Sequence, residues 1–169
     1  YGSLFYTGCI YARDLEYSYL ISIDSDNYEF IEDIKSIEKQ LEYSYDIISC
    51  SRILENYNHE SLSKEDIETT SAISKMIFEI SEIDITDPLS ETKAIKVTSL
   101  QNMELSDSTH GVFLQLFIQA VHFNNTIIEI PAYKGTAFGK ELQLYHEPLE
   151  MFMSLIESER HLYKKGSIN

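Results

Sequence analysis

The 169-residue chain carries 28 Asp plus Glu against 13 Lys plus Arg, a formal net charge of −15, and is 43% hydrophobic and 12% aromatic with only 6 Gly and 3 Pro. That composition excludes a disordered or fibrous polymer, and the length suits one acidic α+β domain over residues 1–169. A field of this sign repels phosphate backbones and anionic headgroups, so sequence-independent nucleic-acid binding is not expected and a protein partner with a basic surface is.

In chain order, Leu4 to Ala12 (LFYTGCIYA) is aromatic and β-branched, and Tyr17 to Asp24 alternates, which predicts a β-hairpin joined by Arg13 to Glu16. Asp26 or Asn27 then caps a helix from about Tyr28 to Tyr43, with Phe30, Ile31, Ile34, Ile37 and Leu41 at helical spacing. Asp46 to Leu54 reads as a strand, and Ser63 with Asp66 three residues on suits the capping of a second helix. The run from Ile77 to Ile85 fits helix or strand, and Asp87-Pro88 breaks either. Thr92 to Leu100 alternates as a half-exposed strand.

The stretch from Ser106 to Ile130 organises the rest. Between Val112 and Phe123 only Gln115, Gln119 and His122 are polar, on one narrow helical stripe, which predicts a nearly buried central helix over about 108–123. It is too short to span a bilayer, which needs roughly 20 apolar residues. Asn124 and Asn125 tolerate the left-handed turn of a helix stop, and Thr126 to Ile130 is a further strand. Leu142 to Tyr145 adds one more short strand, and Pro148 opens a last helix ending near Lys164, Lys165 and Gly166. The expected fold is α+β, a mixed sheet of about five or six strands packed with about four helices.

Cys9 and Cys50 are too few for a disulfide framework and are expected as buried free thiols. No transmembrane run or signal peptide is seen, and cytoplasmic is the expected location; because the chain begins at Tyr1, a processed N-terminus, and with it secretion, stays open. A homo-oligomer stays open too.

Three constellations invite a chemical reading. Asp24 and Asp26, at the end of an apolar strand, are the spacing that holds a hard divalent cation for phosphoryl transfer. The pattern is similar to the nucleophile motif of haloacid-dehalogenase-type phosphatases, which continue with Thr or Val where this chain has Tyr28. Lys134 to Lys140 (KGTAFGK) has only three residues between its glycines and no hydroxyl after Lys140, so it is not a P-loop, although Lys134 and Lys140 offer cations for an anionic ligand. His146, Glu147 and Glu150 lack the second His of a zinc-protease motif and have Pro148 in their midst.

The leading expectation is a non-catalytic protein-binding or regulatory domain, of the inhibitor, immunity-type or adaptor kind, using an acidic, Tyr-bearing surface around Asp24, Asp26, Glu29, Glu32 and Asp33. It needs no cofactor. One alternative is a Mg- or Mn-dependent phosphohydrolase or nuclease using Asp24 and Asp26 as metal ligands. Another is a small-ligand sensor with a pocket beside the central helix, for which Gln119, His122, Lys134 and Lys140 are the candidate ligand-binding residues.

Overall fold

A computed structural model describes residues 2–23, 30–54, 62–133 and 149–164. The elements are α1 (Gly2–Asp14), β1 (Tyr19–Ser22), α2 (Phe30–Leu41), β2 (Ile47–Ser51), α3 (Lys64–Ser81), β3 (Lys93–Lys96), a 3-10 helix (Val97–Asn102), α4 (Gly111–His122), β4 (Ile127–Pro131), α5 (Leu149–Glu159) and α6 (His161–Lys164). Among the described residues the fold is thus α+β, with one four-stranded mixed sheet and six α-helices. The sheet order is β1-β3-β2-β4, with β3 antiparallel to both its neighbours and β2 parallel to β4. β1, β2 and β4 therefore point the same way.

Helices cover both faces of the sheet. On one side Ile37 of α2 packs on Ile48, Cys50, Ala94 and Ile130. On the other, Ile47 and Ile95 meet Phe5 and Cys9 of α1, Ile73 and Ile77 of α3, Phe152 and Ile156 of α5, and the length of α4. Every residue of α4 from Gly111 to Ala120 is buried, which is the central helix expected from the sequence. Its amides do not face a neighbour-free stripe. Gln115 Nε2 donates to Glu159 Oε1 at 2.8 Å and Gln119 Nε2 to Glu159 Oε2 at 3.1 Å, so one α5 carboxylate bridges both. Gln115 Oε1 also accepts from the backbone N–H groups of Ser106 and Asp107, and Gln119 Oε1 from that of Glu104.

Local signals held where a side chain caps the backbone. Ser63 Oγ accepts from the Asp66 N–H at 3.0 Å while Asp66 Oδ2 accepts from the Ser63 N–H at 3.3 Å, a reciprocal capping box. After His122 the chain turns through Asn124 at φ 58°, and the Asn125 N–H returns to the Ala120 carbonyl, closing the end of α4. The undecided run from Ile77 to Ile85 is helix through Ser81, stops at left-handed Glu82 (φ 59°), and continues without strand pairing.

Three expectations are corrected. Leu4 to Ala12 is helix rather than the first arm of a hairpin: Phe5, Cys9 and Ala12 recur at helical spacing and are buried together, and this burial overrides the strand preference of Tyr and Ile. Gly8 lies beside the Leu20 side chain of β1. The strand expected over Thr92 to Leu100 is short and is not half-exposed. β3 lies between β1 and β2, both Ala94 and Ile95 are fully buried on opposite faces, and the chain winds into the 3-10 helix at Val97. The sheet accordingly has four strands rather than five or six among the described residues, and the helices outnumber the four expected because α1 is helical and the last helix breaks at Arg160. The strand expected at Leu142 to Tyr145 lies outside the described residues.

Candidate functional site

The carboxyl ends of β2 and β4 and the start of β3 meet at one end of the sheet, and charge concentrates there. The ladder aligns Ser22 with Lys93, Lys93 with Ser49 and Ser49 with Glu129, so four polar side chains lie in one row across the sheet. Glu129 turns its carboxylate on the connection before β3, accepting from the Thr86 N–H at 2.6 Å and the Asp87 N–H at 2.9 Å. Asp87, fully buried, accepts from Arg52 Nε at 2.7 Å, Arg52 Nη2 at 2.8 Å and the Arg52 N–H at 2.9 Å. Such a bidentate pair fixes geometry as well as charge. Ser51 Oγ and Thr86 Oγ1 share a hydrogen bond at 2.6 Å, and Glu91 lies 2.9 Å from His110 Nε2.

Lys93 stands apart in this cluster. Its side chain is fully buried, and Nζ sits 4.2 Å from the centroid of the Phe113 ring and 4.6 Å from that of Phe117 with no hydrogen-bond partner. Burial, reinforced by the Arg52 charge, brings its pKa down from 10.5 to about 7 against the pull of Asp87, Glu129 and Glu91. Ser49 Oγ, beside it, is likewise buried and unpartnered. Burial also raises the Glu129 carboxyl, with Asp87 adding repulsion, and raises the Cys50 thiol on the opposite sheet face. No three His, Cys, Asp or Glu side chains among the described residues are arranged to hold a metal. The arrangement locks the connections after β2 and before β3 onto the sheet, and its fully buried amine offers no face to a substrate.

Sequence reasoning passed over this cluster. Two signals were legible: Glu129 is the lone acid in the apolar run IIEI, and Lys93 shares the alternation of Ile95 and Val97. Both are marks of a polar group drawn into a core.

A second feature is the outer face of α1. From Gly2 to Ala12 this helix carries no charge, yet Leu4 is 77% exposed and Tyr11 64%. Leu4, Tyr11 and Leu15 share one stripe by their spacing of seven and four residues. Tyr6 and Tyr17 are exposed as well, and Asp14 and Glu16 follow at the end of the stripe.

The third is a surface cavity of about 730 Å³ at the opposite end of the sheet from the charge cluster. The ends of α3 and α4, the start of β4 and α6 surround it. Ile83, Val121, Ile127 and Leu162 form its apolar walls, and Ser81, His122, Asn124 and Asn125 its polar ones. Asn125 Nδ2 is buried without a hydrogen-bond partner.

The residues expected from sequence disperse across the molecule. His122 lines the cavity; Gln119 does not, being buried and tied to Glu104 and Glu159. Asp33 is buried and accepts from the Tyr133 N–H at 2.6 Å, so it fastens α2 to the end of β4 rather than facing outward. Glu32 is half-exposed and pairs with Lys35 at 2.6 Å. Asp24, Asp26, Glu29, Lys134 and Lys140 lie outside the described residues. No helix among the described residues is long and apolar enough to cross a membrane. No known family matches the chain, and no curated protein matches it in sequence.

Proposed function

We propose that the chain is a non-catalytic protein-binding domain, of the inhibitor, immunity-type or adaptor kind, and that it engages a basic partner through the outer face of α1. The observation that carries this reading is the uncharged, exposed stripe of Leu4, Tyr11 and Leu15 in a protein with a net charge of −15. Water is a poor neighbour for such a surface, and contiguous exposed apolar groups mark contact sites. Tyr supplies contact area at little entropic cost and keeps its hydroxyl available to a partner. The surrounding acid steers a basic protein toward the face, while the aromatic groups give the desolvated contact. Asp14 and Glu16, at the end of α1, belong to that acidic surround.

The test places a photo-cross-linking residue at Tyr11, and separately at Lys75 on α3, in the full chain within its native cells. A heterologous protein captured from Tyr11 and not from Lys75, whose purified form loses about tenfold in affinity to Leu4→Ser/Tyr11→Ala and associates more slowly as salt rises, is the expected result. Identical products from both positions, or products only with a second copy of the chain, overturn the reading.

The cavity beside α4 favours a second reading, a small-ligand sensor, because His122 on its wall is one of the residues expected to meet a ligand.

A further inference from the structure

We infer that the partner docks an extended, basic segment as an added strand on the outer edge of β1, with α1 as its side wall. This deepens the reading of α1 as a contact face, on which it rests. Among the described residues β1 is the last strand of the sheet on its side, next to β3 alone. The Val97 N–H donates to the Ser18 carbonyl, and the antiparallel register then has Leu20 and Ser22 bond to β3 as well. Tyr19 and Ile21, between them, turn their backbone N–H and C=O groups to the outer edge. A row of such groups is a template for a strand from another chain, and strand addition is a common way to hold an extended segment.

The wall comes from the helix. Leu4, Gly8, Tyr11 and Leu15 fall on one line of α1 by their spacing of four, three and four residues. At the middle of that line a Cβ on Gly8 would stand 3.7 Å from Leu20 Cδ1, so the exposed stripe flanks β1 instead of facing away from the sheet. A strand paired with Tyr19 and Ile21 puts every second side chain on this side, against Leu4, Tyr11 and Leu15, which are 77%, 64% and 50% exposed. Leu4 to Leu15 covers about 16 Å of helix, the length of about five extended residues. The alternate side chains pass Ile21, 36% exposed on the other sheet face, where the apolar stem of a lysine fits and its ammonium reaches water. The net charge of −15, with Asp14 and Glu16 where α1 leads into β1, favours that positive charge. The segment thus alternates apolar and basic residues.

The probe is the peptide acetyl-KVKVKVK-amide, titrated into the isotope-labelled full chain and followed by NMR. It is expected to shift the Leu4 and Leu15 methyl signals and to slow hydrogen exchange of the Tyr19 and Ile21 amides by at least about tenfold. Two further forms, N-methylated on every valine or on every lysine, keep the side chains and block one backbone edge each. One of them should bind at least about tenfold more weakly and the other nearly as well as the parent. Acetyl-EVEVEVE-amide, and the parent peptide on Leu4→Ser/Tyr11→Ala, should each lose about tenfold. Shifts confined to α1 with Tyr19 and Ile21 unprotected, or full affinity in both N-methylated forms, overturn strand addition and leave the α1 contact face standing. Equal binding of the acidic peptide overturns the basic class, and full affinity on the double variant removes α1 as the wall and overturns the docking mode. Protection of the two amides that rises with protein concentration and needs no peptide assigns the edge to a second copy and overturns the partner segment. Failure of acetyl-KVKVKVK-amide to bind overturns the inference, and the α1 face is then judged by the cross-link at Tyr11 alone.

Discussion

Replacing Lys93 by Met is expected to stabilise the protein. The pKa of Lys93 falls from 10.5 to about 7 on folding. At roughly 1.4 kcal/mol per unit, holding the ammonium form in the core costs on the order of 5 kcal/mol. The unfolded chain binds more protons than the native one between those two values, so stability rises with pH across the window from about 7 to 10.5. Met is unbranched like Lys but one heavy atom shorter, and packs against Phe113 and Phe117 without a charge or an unpartnered donor. The attraction to Asp87 and Glu129 is already contained in that shift, and the small void left by the shorter Met brings the expected gain at pH 7 to about 2–4 kcal/mol. By about pH 9.5 the wild-type lysine is almost wholly neutral and the gain should shrink by more than half. Urea denaturation of both proteins at the two pH values reads this directly, as a shift in midpoint at constant slope. A variant less stable than wild type at pH 7, or a difference that does not change with pH, would refute the reasoning, because either result means the ammonium is held by a favourable partner.

Three other outcomes follow from the same structure. Arg52→Met should destabilise by roughly 3–5 kcal/mol by stranding the fully buried Asp87, and Arg52→Met/Asp87→Leu should recover more than half of that in chemical denaturation. For Asp46, burial is outweighed by hydrogen bonds from Ser99 and Thr126, which lower its pKa; the stability it adds is present above the ordinary carboxylate range and lost as pH falls through its folded value. Asp46→Asn should therefore cost about 1–2 kcal/mol at neutral pH and little in strong acid, as a thermal melt series from neutral to acid pH would record. Burial pushes the Cys9 thiol up to about 11 and raises that of Cys50 as well, so an aromatic disulfide reagent should label neither in the native protein and both in denaturant.

What the sequence disclosed was local. Ser63 with Asp66, the stop at Asn124 and the apolar belt of α4 each declare themselves within a few residues, because a cap or a helical face is decided by neighbours in sequence. α1 did not declare itself, since its strand-like composition is overruled by burial of Phe5, Cys9 and Ala12 against partners such as Phe113, more than a hundred residues away. The acidic patch was legible as charge but not as direction: Asp33 looks like any helix-opening acid until the Tyr133 N–H reaches it. His122 was legible because it sits where α4 ceases to be buried. The charge cluster needed the ladder, which alone brings Ser49, Lys93 and Glu129 into line.

The placement of β3 between β1 and β2 also governs how the sheet can be assembled. Each of those two strands reaches the other only through β3, and the further described neighbour of β2 is β4, later still. A chain synthesised as far as Thr92 thus holds two strands that never pair with each other, so the described ladder has no first rung until Lys93 to Lys96 arrives. Tyr19 must wait for Lys96, and such distant closures are slow compared with helix formation. The amphipathic α2 and the capped α3 form early by comparison, and during synthesis their apolar faces stand exposed until the middle strand seats. A nascent chain stalled in this interval is where the molecule is most open to aggregation or to a chaperone.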